Sequence, residues 1–291
     1  MEHPLAEVFG FPTNNNSQEA KRFQVNRLCP FNNRVPSCTK DKANDPLGVC
    51  SIFANDHPVI TCPVRFRQSW LIAENAAGFF FDKNTKWTSL SEIKLTDKNG
   101  KSAGNIDLVL VSYDDKGKVL DFGSLEIQAV YISGNIRDPF EAYTDNLSAQ
   151  KRFSWKGMPN YPKPDFLSSS RKRLVPQILY KGGILKSWKK KEAVALQKCF
   201  FETLPDLPRA SKESADLAWF VYDLKLDDSN KFFNLILHET IYTEFIPALE
   251  KIITPVPGPL DDFITKLQCR LDEKFDGTPP DNYRITDNRL I

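Results

Sequence analysis

The chain has 291 residues, 41% of them apolar, with 21 Phe and 5 Trp, enough to bury a substantial core in one large or two modest domains. No apolar run is long enough to cross a bilayer, and Met1 to Ser17, with Asn14, Asn15 and Asn16 in a row, lacks the pattern of a signal peptide, so a soluble, cytoplasmic protein with no membrane partner is expected. The formal charge of +2 conceals an asymmetry: residues 151–191 carry twelve Lys or Arg against one acid, Asp165, whereas residues 192–291 carry eleven basic and eighteen acidic residues.

Ser17 is a plausible cap for a helix running to Arg27. From Cys29 to Cys62 the chain is rich in Cys, Pro, Asn and Asp and has little periodicity, which predicts a long loop ordered by something other than its own core. Phe66, Trp70 and Ala73 at helical spacing predict a helix over Val64 to Ala77. Strands are predicted at Ile106 to Ser112 and Val119 to Ile132, with Asp114-Asp115-Lys116-Gly117 as the turn between them. Asp138-Pro139 opens a predicted helix through Gln150. Leu217 to Leu226 and Phe232 to His238 read as strands, and Glu239 to Ile252 and Pro259 to Phe275 as closing helices. Strands interleaved with helices indicate a mixed α/β (α+β) core. Residues 1–63 read as an N-terminal segment packed on a core of residues 64–291.

Cys29, Cys38, Cys50 and Cys62 are separated by eight, eleven and eleven residues, while Cys199 and Cys269 stand far away and are expected to be buried apolar residues. In a reducing compartment four clustered cysteines point to a tetrahedral metal site rather than to disulfides. With every position filled by protein, such a metal is structural, and sulfur ligation suits iron or zinc. Unrelated buried cysteines are the alternative, since the tight C-x-x-C pairs of common zinc modules are missing.

Asp107 interrupts the first apolar strand, and Asp121, Glu126 and Gln128 interrupt the second. If Asp114 and Gly117 close the turn, Asp107 lies opposite Ser124, and Glu126 and Gln128 project from the same face. Diagonal neighbours about 7–8 Å apart at the backbone bring both carboxylates within reach of one divalent ion. Three polar side chains on one face of apolar strands are costly unless a ligand compensates them. Pairing with basic residues, or exposure at a sheet edge, is the competing explanation. Glu74 and Glu92 are further acids that such a site could recruit. The basic segment suits either a polyanionic partner or a solvated surface.

Asn105-Ile106-Asp107 followed by Glu126-Ile127-Gln128 resembles the PD-(D/E)XK nuclease signature, with glutamine where lysine is usual. Cys29-Pro30-Phe31, Cys38-Thr39-Lys40-Asp41-Lys42, Pro46-Leu47-Gly48-Val49-Cys50-Ser51 and Cys62-Pro63 resemble the NotI-type restriction endonucleases, over roughly residues 20 to 160. The resemblance implies a PD-(D/E)XK core, a mixed central sheet flanked by helices, with an N-terminal four-cysteine loop region. It implies a homodimeric type II endonuclease that cuts both strands of duplex DNA at a GC-rich palindrome. Asp107 and Glu126 would then bind catalytic Mg²⁺, Gln128 would take the lysine position, and Cys29, Cys38, Cys50 and Cys62 would bind iron, with zinc second. Lys151, Arg152, Lys156, Arg171, Lys172 and Arg173 become candidate DNA contacts, mostly to phosphates. Arg137, Arg152, Arg171 and Arg173 are candidates for reading guanine in the major groove. A non-catalytic DNA-binding protein with a structural metal, or a less specific nuclease of the same fold, are the rival readings.

Overall fold

A computed structural model describes residues 3–42, 44–145, 155, 157–229 and 231–276. The polar-looking N-terminus holds a wholly buried strand, β1 (Leu5–Val8), paired with β2 (Phe11–Pro12). Helix α1 (Gln18–Val25) starts as expected, with the Ser17 hydroxyl accepting from the Ala20 amide. The expected 29–62 loop is more structured than its composition suggested. It contains a short hairpin of β3 (Asp41–Lys42) and β4 (Asp45–Pro46), then β5 (Val49–Ala54) and β6 (His57–Ile60). Strands β2, β1, β5 and β6 form a four-stranded antiparallel sheet, so backbone pairing orders this segment.

The helix expected over 64–77 is divided. A 3₁₀ segment (Pro63–Trp70) ends with Ser69 and Trp70 at φ 51° and 57°, and α2 (Leu71–Phe80) restarts from there. Two consecutive left-handed residues cannot continue a right-handed helix. Next come β7 (Trp87–Thr96), β8 (Ser102–Tyr113) and β9 (Val119–Gln128), then β10 (Tyr131–Ser133), α3 (Arg137–Asp145) and β11 (Lys163–Asp165). The proposed end of α3 at Gln150 lies outside the described residues. Residues 166–187 are helical, with two π-helical portions, Ser169–Leu174 and Ile178–Gly182. β12 (Glu192–Gln197), β13 (Leu217–Leu226) and β14 (Phe233–Thr243) follow, then α4 (Phe245–Ile253). Glu239 to Thr243, expected in a helix, instead extend β14 against β13.

The central sheet has the order β14-β13-β12-β9-β8-β7. β9, β12 and β13 run parallel and the other pairs antiparallel, so the fold is a mixed α+β arrangement around a mixed sheet. β12, central and buried along its whole length, has the Ala-Val-Ala-Leu interior of a strand covered on both faces. One face packs on α2 through Ile72, Phe79, Leu108, Leu125 and Phe220. The other packs on residues 166–187 and α4 through Ile178, Val194, Trp219 and Phe245. Residues 1–253 form one unit and residues 254–291 another. The second is α5 (Leu260–Asp276), whose Leu260, Ile264, Leu267 and Leu271 recur at alternating four- and three-residue spacing. Its Cys269 is exposed, contrary to the expected burial, and Cys199 is partly buried.

A buried ion pair joins the two sheets. Glu7 on β1 and Arg65 have fully buried side chains, with Arg65 Nε 2.9 and 3.0 Å from the two carboxylate oxygens. Ser51 Oγ donates to Glu7 at 2.7 Å, and Arg65 Nη2 donates to the Phe233 carbonyl of β14 at 2.6 Å. Desolvation pushes the Glu7 carboxyl up, and the guanidinium pulls part of that back. Arg65→Ala should therefore lower stability by about 3–5 kcal/mol by stranding a buried acid. Urea denaturation measures this, and a loss under about 1 kcal/mol, typical of exposed pairs, contradicts the assignment.

Candidate active site

Three polar residues share one face of the β8–β9 pair. The observed pairing matches Leu108 with Leu125 and Val109 with Ser124, which sets Asp107 beside Glu126 rather than beside Ser124. The register expected from the turn was off by two residues, because Asp114 N–H reaches Lys118 O and a bulge follows Ser112. An even slip preserves faces, so Asp107, Glu126 and Gln128 still project together. They lie on the face opposite α2, since Leu108, Leu125 and Ile127 take that side.

Burial makes the pair unusual. Glu126 is 1% exposed, and the two carboxyls are close enough to share a proton. Desolvation first, then the neighbouring Asp107, push the Glu126 carboxyl up to about 7. Desolvation also raises Asp107, opposed by a 2.8 Å hydrogen bond from the Ile127 amide to Asp107 Oδ2. Glu126 Oε1 is buried with no hydrogen-bond donor. A buried carboxylate oxygen without a donor beside a second carboxyl has the chemistry of a cation ligand.

Several groups here were not foreseen. Lys181, from residues 166–187, is buried and places Nζ 2.6 Å from Glu126 Oε2 and 2.8 Å from the Asn105 carbonyl. Glu192, which opens β12, is fully enclosed with neither carboxylate oxygen hydrogen-bonded, and burial followed by Glu126 raises its carboxyl well above the ordinary range. Arg67 is within electrostatic range of Asp107. Nothing in the local sequence marks Lys181, whereas Glu192 at the head of an apolar run was a visible signal. Of the two extra acids considered, Glu92 faces Asp107 from β7 with φ 56° and is exposed. Glu74 lines a different cleft, with Lys212, and does not join the site.

Gln128 is 7% exposed, and its Nε2 donates to the Ala129 carbonyl at 2.7 Å. Asp107 and Gln128 line a cleft of about 570 Å³ whose other walls include Lys40, Arg137, Arg173 and Gln177. The cleft therefore runs between the cysteine segment, Asp107 and Gln128, and the basic helical stretch. Arg171, Lys172 and Arg173 are exposed, Arg173 lines the cleft, and its guanidinium lies 4.6 Å from the Tyr131 ring centre. Arg137 is engaged elsewhere, in ion pairs with Asp45 at 2.8 Å and Asp41 at 2.5 Å, so it ties α3 to the cysteine segment. Lys190 pairs with Asp121, Lys186 with Asp216, and Lys191 donates to Phe79 O at 3.0 Å. Lys181, Lys186 and Lys190 of the basic run are thus paired with acids of the chain itself. Lys151, Arg152 and Lys156 lie outside the described residues.

The four cysteines occupy one neighbourhood. Cys29 N–H donates to Pro36 O and Cys38 N–H to Arg27 O, which folds the 29–38 loop back on itself. Thr61 N–H donates to Cys50 O across β5 and β6, bringing Cys62 beside Cys50. Lys40 Nζ stitches these loops through Val49 O at 2.6 Å and Thr61 O at 3.2 Å. Burial lifts the Cys29 thiol to about 11 and raises Cys38 and Cys50, and Cys62 lies close enough to each of the three to add to the rise. Among the described residues, no group of three or more His, Cys, Asp or Glu side chains is arranged to hold a metal ion.

A family model described as restriction endonuclease NotI matches residues 14–235, a span that takes in the cysteine segment, both acids and the basic helical stretch. No curated protein matches the chain.

The raised Glu126 carboxyl has a definite consequence for the metal-free protein. Between its ordinary 4.5 and about 7, the folded form keeps a proton that the unfolded form releases, so stability falls as pH rises through that window. Glu126→Gln, a mimic of the protonated acid, should exceed the wild type by roughly 3 kcal/mol at pH 8 and match it near pH 4. Urea titrations in chelator at the two pH values test this; a pH-independent difference contradicts it.

Proposed function

We propose, from the premise that the chain belongs to the restriction endonuclease NotI family, that it cuts both strands of duplex DNA at a GC-rich palindrome, as a Mg²⁺-dependent homodimer. Family membership makes it a type II restriction endonuclease, a DNA-binding hydrolase. Among the described residues no helix is long and apolar enough to cross a membrane. A cytoplasmic location completes the reading.

The observation that carries the metal-dependent reading is the Asp107–Glu126 pair, two desolvated carboxyls on adjacent strands with a buried oxygen lacking a donor. These two residues would hold Mg²⁺, with the Ile127 amide fixing the orientation of Asp107. When bound, the ion supplies Lewis-acid activation of a water molecule and stabilises charge at phosphorus. Gln128 neither carries charge nor takes up a proton near neutral pH, so its role is to orient the attacking water by hydrogen bonding. The Gln128–Ala129 hydrogen bond holds that amide at the cleft wall. Arg171, Lys172 and Arg173 line the DNA approach and contact phosphates, joined by Lys151, Arg152 and Lys156. Arg137, held by Asp41 and Asp45, acts on DNA indirectly, by fixing the cysteine segment beside the cleft.

Cys29, Cys38, Cys50 and Cys62 are read as ligands of a structural iron, with zinc as the alternative. The ionisation of Cys29, Cys38 and Cys50 is opposed first by burial and then by neighbouring thiols, and Cys62 lies beside them, a set that suits a cation able to favour thiolates. Elemental analysis of purified protein should find about one iron per chain, and Cys50→Ser should lose the metal and lower stability and DNA binding together. Full binding by a metal-free variant contradicts the structural role.

Incubation with long duplex DNA and Mg²⁺ should yield discrete, reproducible fragments. A smear indicates a less specific nuclease, and intact DNA a binding protein. Asp107→Ala and Glu126→Ala should each reduce cleavage to background while sequence-specific binding, measured in Ca²⁺, persists. Cleavage by both variants contradicts the site.

A further inference from the structure

Among the described residues, Lys181 is the one cation in direct contact with either acid. Its ammonium donates to Glu126 Oε2 at 2.6 Å and to the Asn105 carbonyl at 2.8 Å, two residues before Asp107 on β8. Both ends of this contact are enclosed, with side-chain exposures of 3% and 1%. The lysine comes from the π-helical portion Ile178–Gly182, and such portions recur at functional sites. The next residue shows how tightly this stretch is pressed on the sheet. A Cβ at Gly182 would meet Glu192 Oε2 at 2.5 Å and the Phe245 ring at 2.3 Å, so only glycine permits the approach. The lysine is therefore held by backbone packing on one side and by two hydrogen bonds on the other.

The two oxygens of Glu126 are left in different conditions. Oε2 is occupied by the ammonium, and Oε1 is buried without a donor. Asp107 is likewise tied at Oδ2 by the Ile127 amide. Ca²⁺ accepts six to eight oxygens and readily takes carboxylates through both of theirs, whereas Mg²⁺ requires near-octahedral geometry and shorter single-oxygen contacts. A carboxylate with one oxygen already bonded offers a single-oxygen contact.

We propose that Lys181 is a positioning residue that occupies one oxygen of Glu126, limits it to one-oxygen ligation, and so biases the site toward Mg²⁺ against Ca²⁺. The inference rests on the reading of Asp107 and Glu126 as cation ligands. It concerns the ratio of two affinities. Both ions carry the same charge, so the repulsion each suffers from the ammonium cancels in that ratio, leaving the effect of ligation mode.

The test is calorimetric titration of the full chain with MgCl₂ and, separately, with CaCl₂, for the wild type and for Lys181→Met, whose melting curves establish that both are folded. Lys181→Met should shift the Ca²⁺-to-Mg²⁺ affinity ratio toward Ca²⁺ by about tenfold or more, because both Glu126 oxygens become free. A lysine that merely supports the structure would weaken both ions alike, and an unchanged ratio overturns the proposal. A wild type that binds neither ion and cuts no DNA instead defeats the underlying metal reading, an outcome visible without any variant. A second measurement needs no substitution. The ¹⁵N signal of the Lys181 ammonium should remain slowly exchanging at saturating Mg²⁺, since Oε2 stays engaged; its loss on Mg²⁺ binding overturns the proposal even where Lys181→Met fails to fold.

Discussion

Two carboxyls held side by side in a nearly dry environment set the demands that the surrounding structure meets. Neighbouring like charges with so much of their surface withdrawn from solvent oppose each other's ionisation. Asp107 and Glu126 are in this position because β8 and β9 pair in a register that sets them abreast. The partners that make it tolerable are the Ile127 amide, the Lys181 ammonium, and a proton that Glu126 holds up to about pH 7. Behind them Glu192 adds a further enclosed carboxyl, pushed well above the ordinary range by burial and then by Glu126. On the proposed reading, a divalent ion held by Asp107 and Glu126 would relieve these constraints together.

The cysteine segment serves the same cleft from the other wall. Its sheet is locked to the central sheet by Glu7 and Arg65, and its hairpin is clamped to α3 by Arg137. Lys40 then joins the loops that carry Cys38, Cys50 and Cys62. These ties run through carbonyls and carboxylates, so the segment forms a firm wall of the cleft that Asp107 lines. A metal held by the four thiols, as proposed, would add rigidity to an element that backbone pairing already orders.

The sequence made some of this plain and hid the rest for definite reasons. The face shared by Asp107, Glu126 and Gln128 was legible because strand alternation has a period of two, and a register error of two residues leaves it unchanged. β13 was legible as a long apolar run with its bounds intact. β12 was missed because it is six residues long and directly follows Lys189-Lys190-Lys191, which drew attention to charge. The strands within 29–62 were obscured by proline and cysteine, and the break at Ser69 and Trp70 has no proline or glycine to announce it. Lys181 was invisible in principle. It lies 55 residues from Glu126, in a segment read as one basic patch, and only the fold separates the lysine that faces inward from those that face solvent. The same applies to Arg137, whose partners Asp41 and Asp45 are more than ninety residues away.

The central claim is that one divalent ion bridges β8 and β9. A crystal of the protein grown with Mn²⁺, measured at the manganese absorption edge, addresses it without reference to activity. The account predicts an anomalous peak within coordinating distance of one oxygen of Asp107 and one oxygen of Glu126. Manganese bound elsewhere, with that pair still sharing a proton, contradicts it.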